Sequence, residues 1–447
     1  MSNPNRAEAQ AALAAAEARF IANNPLSKDQ HELAVGNLPG GNTRTLLHTS
    51  PFPLSMKQGK GAYVWDEDGH KYLDFVGELT AGLYGHSNPV VKRAVQSVID
   101  EVGLNLGGTT VQEQRHAALL CKRFKLERVR MANTGTEANL HALAGARHYT
   151  GRRKVVVFAG GYHGAVLSFA GGKPAPNTVD RDDFVVVPRY NDAELAQEVI
   201  RSVGTDLAAV LVEPMQGAGG CIPALPGFLS AVQRAAHEAG ALFILDEVMT
   251  SRLAPHGLGF QWGLRPDLVT LGKYLGGGFS FGAFGGRAEV MDTVYDPRLK
   301  GSLAHSGTFN NNTMTMRVGY AALSEVFTPE ASVSLNARGD GFRERLQGVA
   351  RGTRLSFSGL GSLIGIHFTE DGLEGGKELV DGSQVHGGDN ERADLRDLFW
   401  FEMLEEGFWV VRRGMIAMIL ETPDEELDRF VGAVERFVER HSGLMRL

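Results

Sequence analysis

The residues best placed to do chemistry stand at the ends of short apolar runs. Leu268-Val-Thr-Leu271 leads into Gly272-Lys273-Tyr274-Leu275-Gly276-Gly277-Gly278. A lysine at the end of a buried strand, flanked by glycines that permit close approach, is placed to form a Schiff base with an aldehyde, its amine tuned by its surroundings. The competing reading is a solvated loop lysine. Ala241-Leu-Phe-Ile-Leu245 ends in Asp246-Glu247-Val248. A carboxylate held there can pair with the cationic nitrogen of a bound heterocycle, or it can serve as a helix cap. Val129-Arg-Met-Ala132 is followed by Asn133-Thr134-Gly135-Thr136-Glu137-Ala138 and a helical pattern. Small hydroxyl residues and a glycine at a helix N-terminus offer N–H and O–H donors to a phosphate, with the helix dipole adding to the attraction. Thr134 or Thr136 as a simple cap is the alternative.

Two further segments follow the same rule. Val155-Val-Val-Phe158 precedes Gly160-Gly161-Tyr162-His163-Gly164, and Ala208-Ala-Val-Leu-Val212 precedes Glu213-Pro214-Met215-Gln216-Gly217. Tyr162 can cover one face of a flat cofactor with Val248 against the other, or simply pack. His163 has no second His or Cys at ligand spacing, so no metal site is expected. A phosphate cup, a ring face, a partner for a ring nitrogen and an amine for an aldehyde carbon are together the requirements of pyridoxal phosphate.

These residues need a scaffold that brings strand ends to one edge. The runs named above, with Phe184-Val-Val-Val187, are apolar at nearly every position, which marks strands covered on both faces. The segments between them fit crossover helices, such as Gly227 to Ala239 with Phe228, Ala231, Val232 and Ala235 on one face. The expectation is therefore an α/β fold with a largely parallel sheet, whose ligands sit beyond the carboxyl ends of the strands. The large domain is expected over 65–325. Residues 1–64 form an N-terminal segment with an alanine-rich helix at 6–22, and 326–447 a smaller α+β domain. Ala62 to Phe75 reads as a hairpin around an Asp-Gly turn. The C-terminal part reads as a polar loop at about 370–390, a helix at 391–406, strands at 408–411 and 415–420, and an amphipathic helix at 423–440.

Composition narrows the class. The chain has 447 residues, 43% hydrophobic and 22% charged, which suits a globular enzyme. Its 45 Lys and Arg against 52 Asp and Glu give a net charge of −7, which argues against nucleic acid as a partner. No apolar run approaches a membrane span, and the N-terminus lacks a signal-peptide pattern. Cys121 and Cys221 stand far apart without a Cys/His cluster, so a reducing cytoplasm is the expected location.

Asn133-Thr-Gly-Thr-Glu-Ala138, Gly161-Tyr-His-Gly164, Glu213-Pro214, Asp246-Glu-Val-Met-Thr250 and Leu271-Gly-Lys273 together resemble the fold-type I, class III aminotransferases, near glutamate semialdehyde aminomutase. The likeness runs through nearly the whole chain in the family's order. It implies a mostly parallel seven-stranded sheet in the large domain and pyridoxal 5'-phosphate as cofactor. Lys273 would be the Schiff-base lysine and proton shuttle, with Asp246 at the ring nitrogen. Tyr162 and Val248 would sandwich the ring; Thr134, Gly135 and Thr136 would hold the phosphate, and His163 and Glu213 would complete the cofactor site. Members of the family are dimers with shared sites, which gives Thr308, in Ser306-Gly-Thr-Phe309, a place on the partner's phosphate.

Two arginines bear on the substrate. Pro39-Gly-Gly-Asn-Thr-Arg44 ends a glycine-led loop, and Val411-Arg412-Arg413-Gly414 follows an expected strand. Arginine binds carboxylates through a planar fork, so one on each flank of the cofactor would suit amino and keto acids; surface arginines are the alternative. Either Arg412 or Arg413 can face inward, and Arg412 is the first choice. These segments, with Gly77-Glu-Leu-Thr-Ala-Gly-Leu-Tyr-Gly-His86, are similar to β-amino-acid aminotransferases acting on β-phenylalanine. That likeness implies Arg44 on the β-amino acid carboxylate and Arg412 on the α-carboxylate of 2-oxoglutarate or pyruvate. The aminomutase start, Pro-Gly-Gly-Val-Asn-Ser-Pro-Val-Arg, is shortened here. Ala218 after Gln216-Gly217 replaces the glutamate with which ornithine-type members gate a substrate arginine. Rival expectations are an aminomutase, a nicotinamide dehydrogenase and a silent pyridoxal fold. Gly276–Gly282 and Gly359–Gly365 space their last glycine one residue too far for a dinucleotide fingerprint, and Lys273 with Asp246 argues against silence.

Overall fold

In the computed structural model, which describes residues 4–372, 379–385 and 390–447, the apolar runs become buried strands. In chain order the strands are β1 (Met56–Lys60), β2 (Tyr63–Asp66), β3 (Lys71–Asp74), β4 (Arg128–Ala132), β5 (Lys154–Phe158), β6 (Phe184–Val187), β7 (Leu207–Val212), β8 (Met215–Gln216) and β9 (Ile222–Pro223). They continue with β10 (Leu242–Asp246), β11 (Leu268–Gly272), β12 (Gly282–Gly286), β13 (Leu355–Leu360), β14 (Leu363–Phe368), β15 (Phe408–Trp409) and β16 (Met415–Ala417).

Seven strands in the order β4-β12-β11-β10-β7-β5-β6 form the main sheet. Only β12 opposes its neighbours, β11 and β4. The other pairs are parallel, so six strands end at one edge. Alternation along the strands covers both faces. In β5, Val155 and Val157 pack with Ala142 and Leu143 of the helix Gly135–Thr150. Val156 and Phe158 join Ile200 and Val232, from the helices Ala193–Val203 and Phe228–Glu238, on the opposite face.

The seventh strand, β12, has the sequence Gly-Ala-Phe-Gly-Gly and lacks the apolar run that marks the others. Its glycines are there for close approach: a Cβ on Gly282 would lie 2.0 Å from the Thr134 carbonyl oxygen, and one on Gly285 2.2 Å from that of Arg128. The two glycine-spaced segments that miss the dinucleotide pattern are structural. Gly277, with φ +67°, turns the chain toward β12, and Gly359–Gly365 lies in the β13–β14 hairpin.

β13, β14 and β16 form a second, antiparallel sheet. The helices Pro329–Ala350, Ala393–Glu405 and Asp424–Arg440 contribute Phe342, Phe399 and Phe430 to the core beside it. The expected hairpin forms from β2 and β3, and β3 pairs in parallel with β15, which ties residues 56–74 to the C-terminal region. The alanine-rich helix spans Pro4–Asn23 and sets Phe20 against Trp400 and Phe401. Of the expected polar loop at 370–390, residues 373–378 and 386–389 lie outside the described residues. Among the described residues no helix is long and apolar enough to cross a membrane, and no group of three or more His, Cys, Asp or Glu is placed to hold a metal.

Candidate active site

The shared strand edge gathers the chemistry. Asp246 is the last residue of β10, Lys273 directly follows β11, and Glu213 directly follows β7. Tyr162 and His163 stand on the turn after β5, and Asn133 to Thr136 join β4 to its helix.

Asp246 is 4% exposed and held from several sides. Its Oδ2 lies 2.8 Å from His163 Nδ1 and accepts a 2.8 Å hydrogen bond from Asn139 Nδ2, while Oδ1 accepts from the Val248 N–H at 3.0 Å. Burial opposes charge on His163, but the hydrogen bond to Asp246 prevails and raises its pKa. Asn139 also donates to the His163 carbonyl and accepts from the Thr270 hydroxyl. Asn139 is not marked by any motif in the sequence. Its one signal was a poor helix former on the face of a helix otherwise lined with alanine and leucine.

Lys273 occupies the left-handed region at φ +59°, a strained conformation for a side chain of this size. Its Nζ donates to the Leu79 carbonyl at 2.9 Å. Burial, then the charges of Arg413 and Arg44, bring its pKa down to about 8. A lysine near neutrality is a competent nucleophile and proton carrier where one at its usual value is not. Glu213 is buried with its pKa pushed up to about 7, chiefly by desolvation. Its carboxyl oxygens accept from the Tyr162 and Gly217 N–H groups, both at 3.1 Å. Glu247, which follows Asp246 and is also pushed up to about 7 by burial, accepts from the Leu258 and Gly259 N–H groups and anchors that loop.

Thr134 is the helix cap: its hydroxyl accepts from the Glu137 N–H at 3.1 Å. The N–H groups of Gly135 and Thr136 open the helix, where no intrahelical acceptor exists for them. Gly164 closes against Thr136, since a Cβ there would lie 2.3 Å from the Thr136 hydroxyl. Gly135 in turn sits against Val248. Tyr162 remains 44% exposed, a ring face that packing has not consumed. Thr308 lies exposed on a loop tied back to Asn133 through Asn310.

The arginines separate. Arg44 is exposed, forms an ion pair with Glu78, and bears electrostatically on Lys273. Arg412, the first choice for the second carboxylate site, is engaged elsewhere. Its guanidinium donates to Asp397 at 2.8 Å and to the Ser50 carbonyl, and lies over the rings of Trp400 and Phe401. Arg413 is the one that bears on Lys273, and Tyr162 and Glu213 bear on it in turn. Successive residues of the short loop before β16 point to different sides, and apolar periodicity could not say which.

The groups present fit pyridoxal phosphate: free helix N–H donors for a phosphate, an open aromatic face, a buried carboxylate for a ring nitrogen and an amine of lowered pKa. Fold and site together define a pyridoxal-phosphate enzyme of fold type I.

The Aminotransferase class-III family matches residues 47–436. The chain is 49% identical over 439 residues to a beta-phenylalanine transaminase of Variovorax paradoxus, covering 97% of each. The crystal structure of a beta-phenylalanine aminotransferase from Variovorax paradoxus matches with a TM-score of 0.93, 49% identity, and 98% and 99% of the two chains covered. A glutamate-1-semialdehyde 2,1-aminomutase 2 of Anoxybacillus flavithermus is 33% identical over 433 residues, covering 92% of this chain and 96% of its own. The chain thus belongs to the class-III aminotransferases, enzymes that work with pyridoxal 5'-phosphate on amino and keto acids.

Proposed function

We propose that this aminotransferase moves the amino group of a β-amino acid, such as β-phenylalanine, to 2-oxoglutarate or pyruvate by a ping-pong mechanism. The observation that carries the reading is Arg44 paired with Glu78, whose neighbour Leu79 receives Lys273 Nζ, while Arg413, on a separate loop, helps to lower the pKa of the same amine. A carboxylate held by one of these arginines fixes which carbon of the substrate faces the lysine. Arg44 takes the carboxylate of the β-amino acid, and Arg413 replaces Arg412 for the α-carboxylate of the keto acid.

Gly135, Thr136 and the capped helix would hold the cofactor phosphate, with Thr134 at the rim and Thr308 of the partner subunit completing it. Tyr162 and Val248 would flank the ring, Glu213 would fix Tyr162 through its N–H, and Asp246, braced by His163, would face the ring nitrogen. When bound, the cofactor supplies an electron-accepting ring that stabilises negative charge at the amine-bearing carbon. Asp246 would keep a proton on the ring nitrogen. Lys273 Nζ would carry the proton from the amine-bearing carbon of the substrate to the aldehyde carbon of the cofactor.

The working form is a homodimer in the cytoplasm, with residues 65–325 as the cofactor lobe and 1–64 and 326–447 as the second, to which β2 and β3 are joined by pairing. Two free cysteines suit that compartment. Initial-rate kinetics with β-phenylalanine and 2-oxoglutarate, each varied, test the reading: parallel double-reciprocal lines are expected. Continued turnover without any keto acid, beyond one product per active site, would favour an aminomutase instead.

A further inference from the structure

The segment after β3 is unusual in its backbone. Gly77, Glu78, Leu79 and Thr80 all take positive φ, at +50°, +47°, +52° and +82°. Three consecutive side-chain-bearing residues in the left-handed region are rare, and such conformations persist only where the surroundings hold them. They are held here. Asp74 Oδ1 accepts from the Val76 and Gly77 N–H groups at 2.8 and 2.9 Å, Gly82 N–H donates to Gly77 O at 2.8 Å, and a Cβ on Gly77 would lie 2.9 Å from Ala417 O. The turn presents two adjacent groups to the site. The Leu79 carbonyl receives Lys273 Nζ, and the Glu78 carboxylate pairs with Arg44.

We propose that Glu78 is a built-in competitor for the carboxylate subsite at Arg44, so that a substrate carboxylate binds by displacing Glu78. The inference rests on Arg44 being the β-amino acid carboxylate site. Both partners are largely exposed, at 42% and 61%, so the pair is weak enough to be exchanged for a substrate carboxylate. Glu78 directly precedes Leu79, whose carbonyl receives Lys273 Nζ, which sets the Arg44–Glu78 pair beside the reacting amine. A held turn cannot follow Arg44 when it swings to substrate, so the ion pair breaks instead of travelling with the arginine. With no carboxylate bound, Glu78 neutralises Arg44 and spares the site an isolated cation beside the lysine. Glu78 is thereby a specificity-determining residue.

The test compares the holoenzyme with Glu78→Gln, Arg44→Ala and the double variant, measuring kcat and KM for β-phenylalanine at saturating keto acid. Visible absorbance of the bound cofactor certifies that each variant is folded and loaded, and Glu78→Ala is the second substitution if Glu78→Gln is not. Arg44→Ala is expected to raise KM tenfold or more. Glu78→Gln is expected to lower KM about two- to fivefold, with the change appearing in KM rather than kcat, and to have no effect on KM in the Arg44→Ala background. A raised KM in Glu78→Gln would overturn the proposal, because it would mean that Glu78 only positions Arg44. An unchanged KM would overturn it as well. If Arg44→Ala leaves KM unaltered, the Arg44 reading itself fails, which is a separate result.

Discussion

At the scale of single residues the site turns on charge placed in low dielectric. Lys273, with its pKa lowered to about 8, has a larger neutral fraction at pH 7 to 8 than an ordinary lysine. The rate at which cofactor-free protein recaptures pyridoxal phosphate should therefore rise with pH through a midpoint near 8 and level off about one unit above it; a rise continuing past pH 10 would contradict the burial effect. Removing the amine altogether, in Lys273→Ala, should cost about 10³-fold or more in turnover, the loss expected of a residue proposed both to link the cofactor and to carry the proton. The neighbouring arginines separate in the same kind of experiment. Arg413→Ala should raise KM for 2-oxoglutarate about tenfold or more, the loss expected for a charge-assisted hydrogen bond. Arg412→Ala should leave that KM nearly intact and lower stability by about 1 kcal/mol in urea unfolding, through the lost Asp397 pair and the stacking on Trp400 and Phe401. The reverse pattern would restore Arg412 to the substrate.

At the scale of elements, legibility followed from whether a residue's neighbours are local. Lys273, Asp246, Glu213 and Thr136 were readable because each follows an apolar run, and a parallel sheet delivers every such run to the same edge. Asn139 was not readable, because its role comes from β10 and β11, more than a hundred residues away. The choice between Arg412 and Arg413 was illegible for a related reason: a loop between short strands has no period to follow. The strand β12 escaped notice because its sequence serves backbone contact and not side-chain burial. Gly282→Ala tests that account. With a Cβ 2.0 Å from the Thr134 carbonyl, this substitution should destabilise the protein by about 3 kcal/mol and loosen the cofactor, the capped helix being displaced with Thr134. Unfolding and cofactor titration measured together would show it; a substitution without effect on either would mean that β12 has room the packing denies.

At the scale of the whole molecule, three sheets contribute to one site. The main sheet brings the lysine and the carboxylate, whereas the turn after β3 and the loop before β16 bring Glu78, Leu79, Arg44's partner contacts and Arg413. The half-reaction of a β-amino acid transaminase, which this arrangement is proposed to perform, is read from the visible spectrum of the purified holoenzyme. Addition of β-phenylalanine without keto acid should remove the absorbance of the lysine-bound cofactor, and 2-oxoglutarate or pyruvate should restore it, with Lys273→Ala unable to complete the cycle. A spectrum that ignores β-phenylalanine while responding to α-amino acids would contradict the claim.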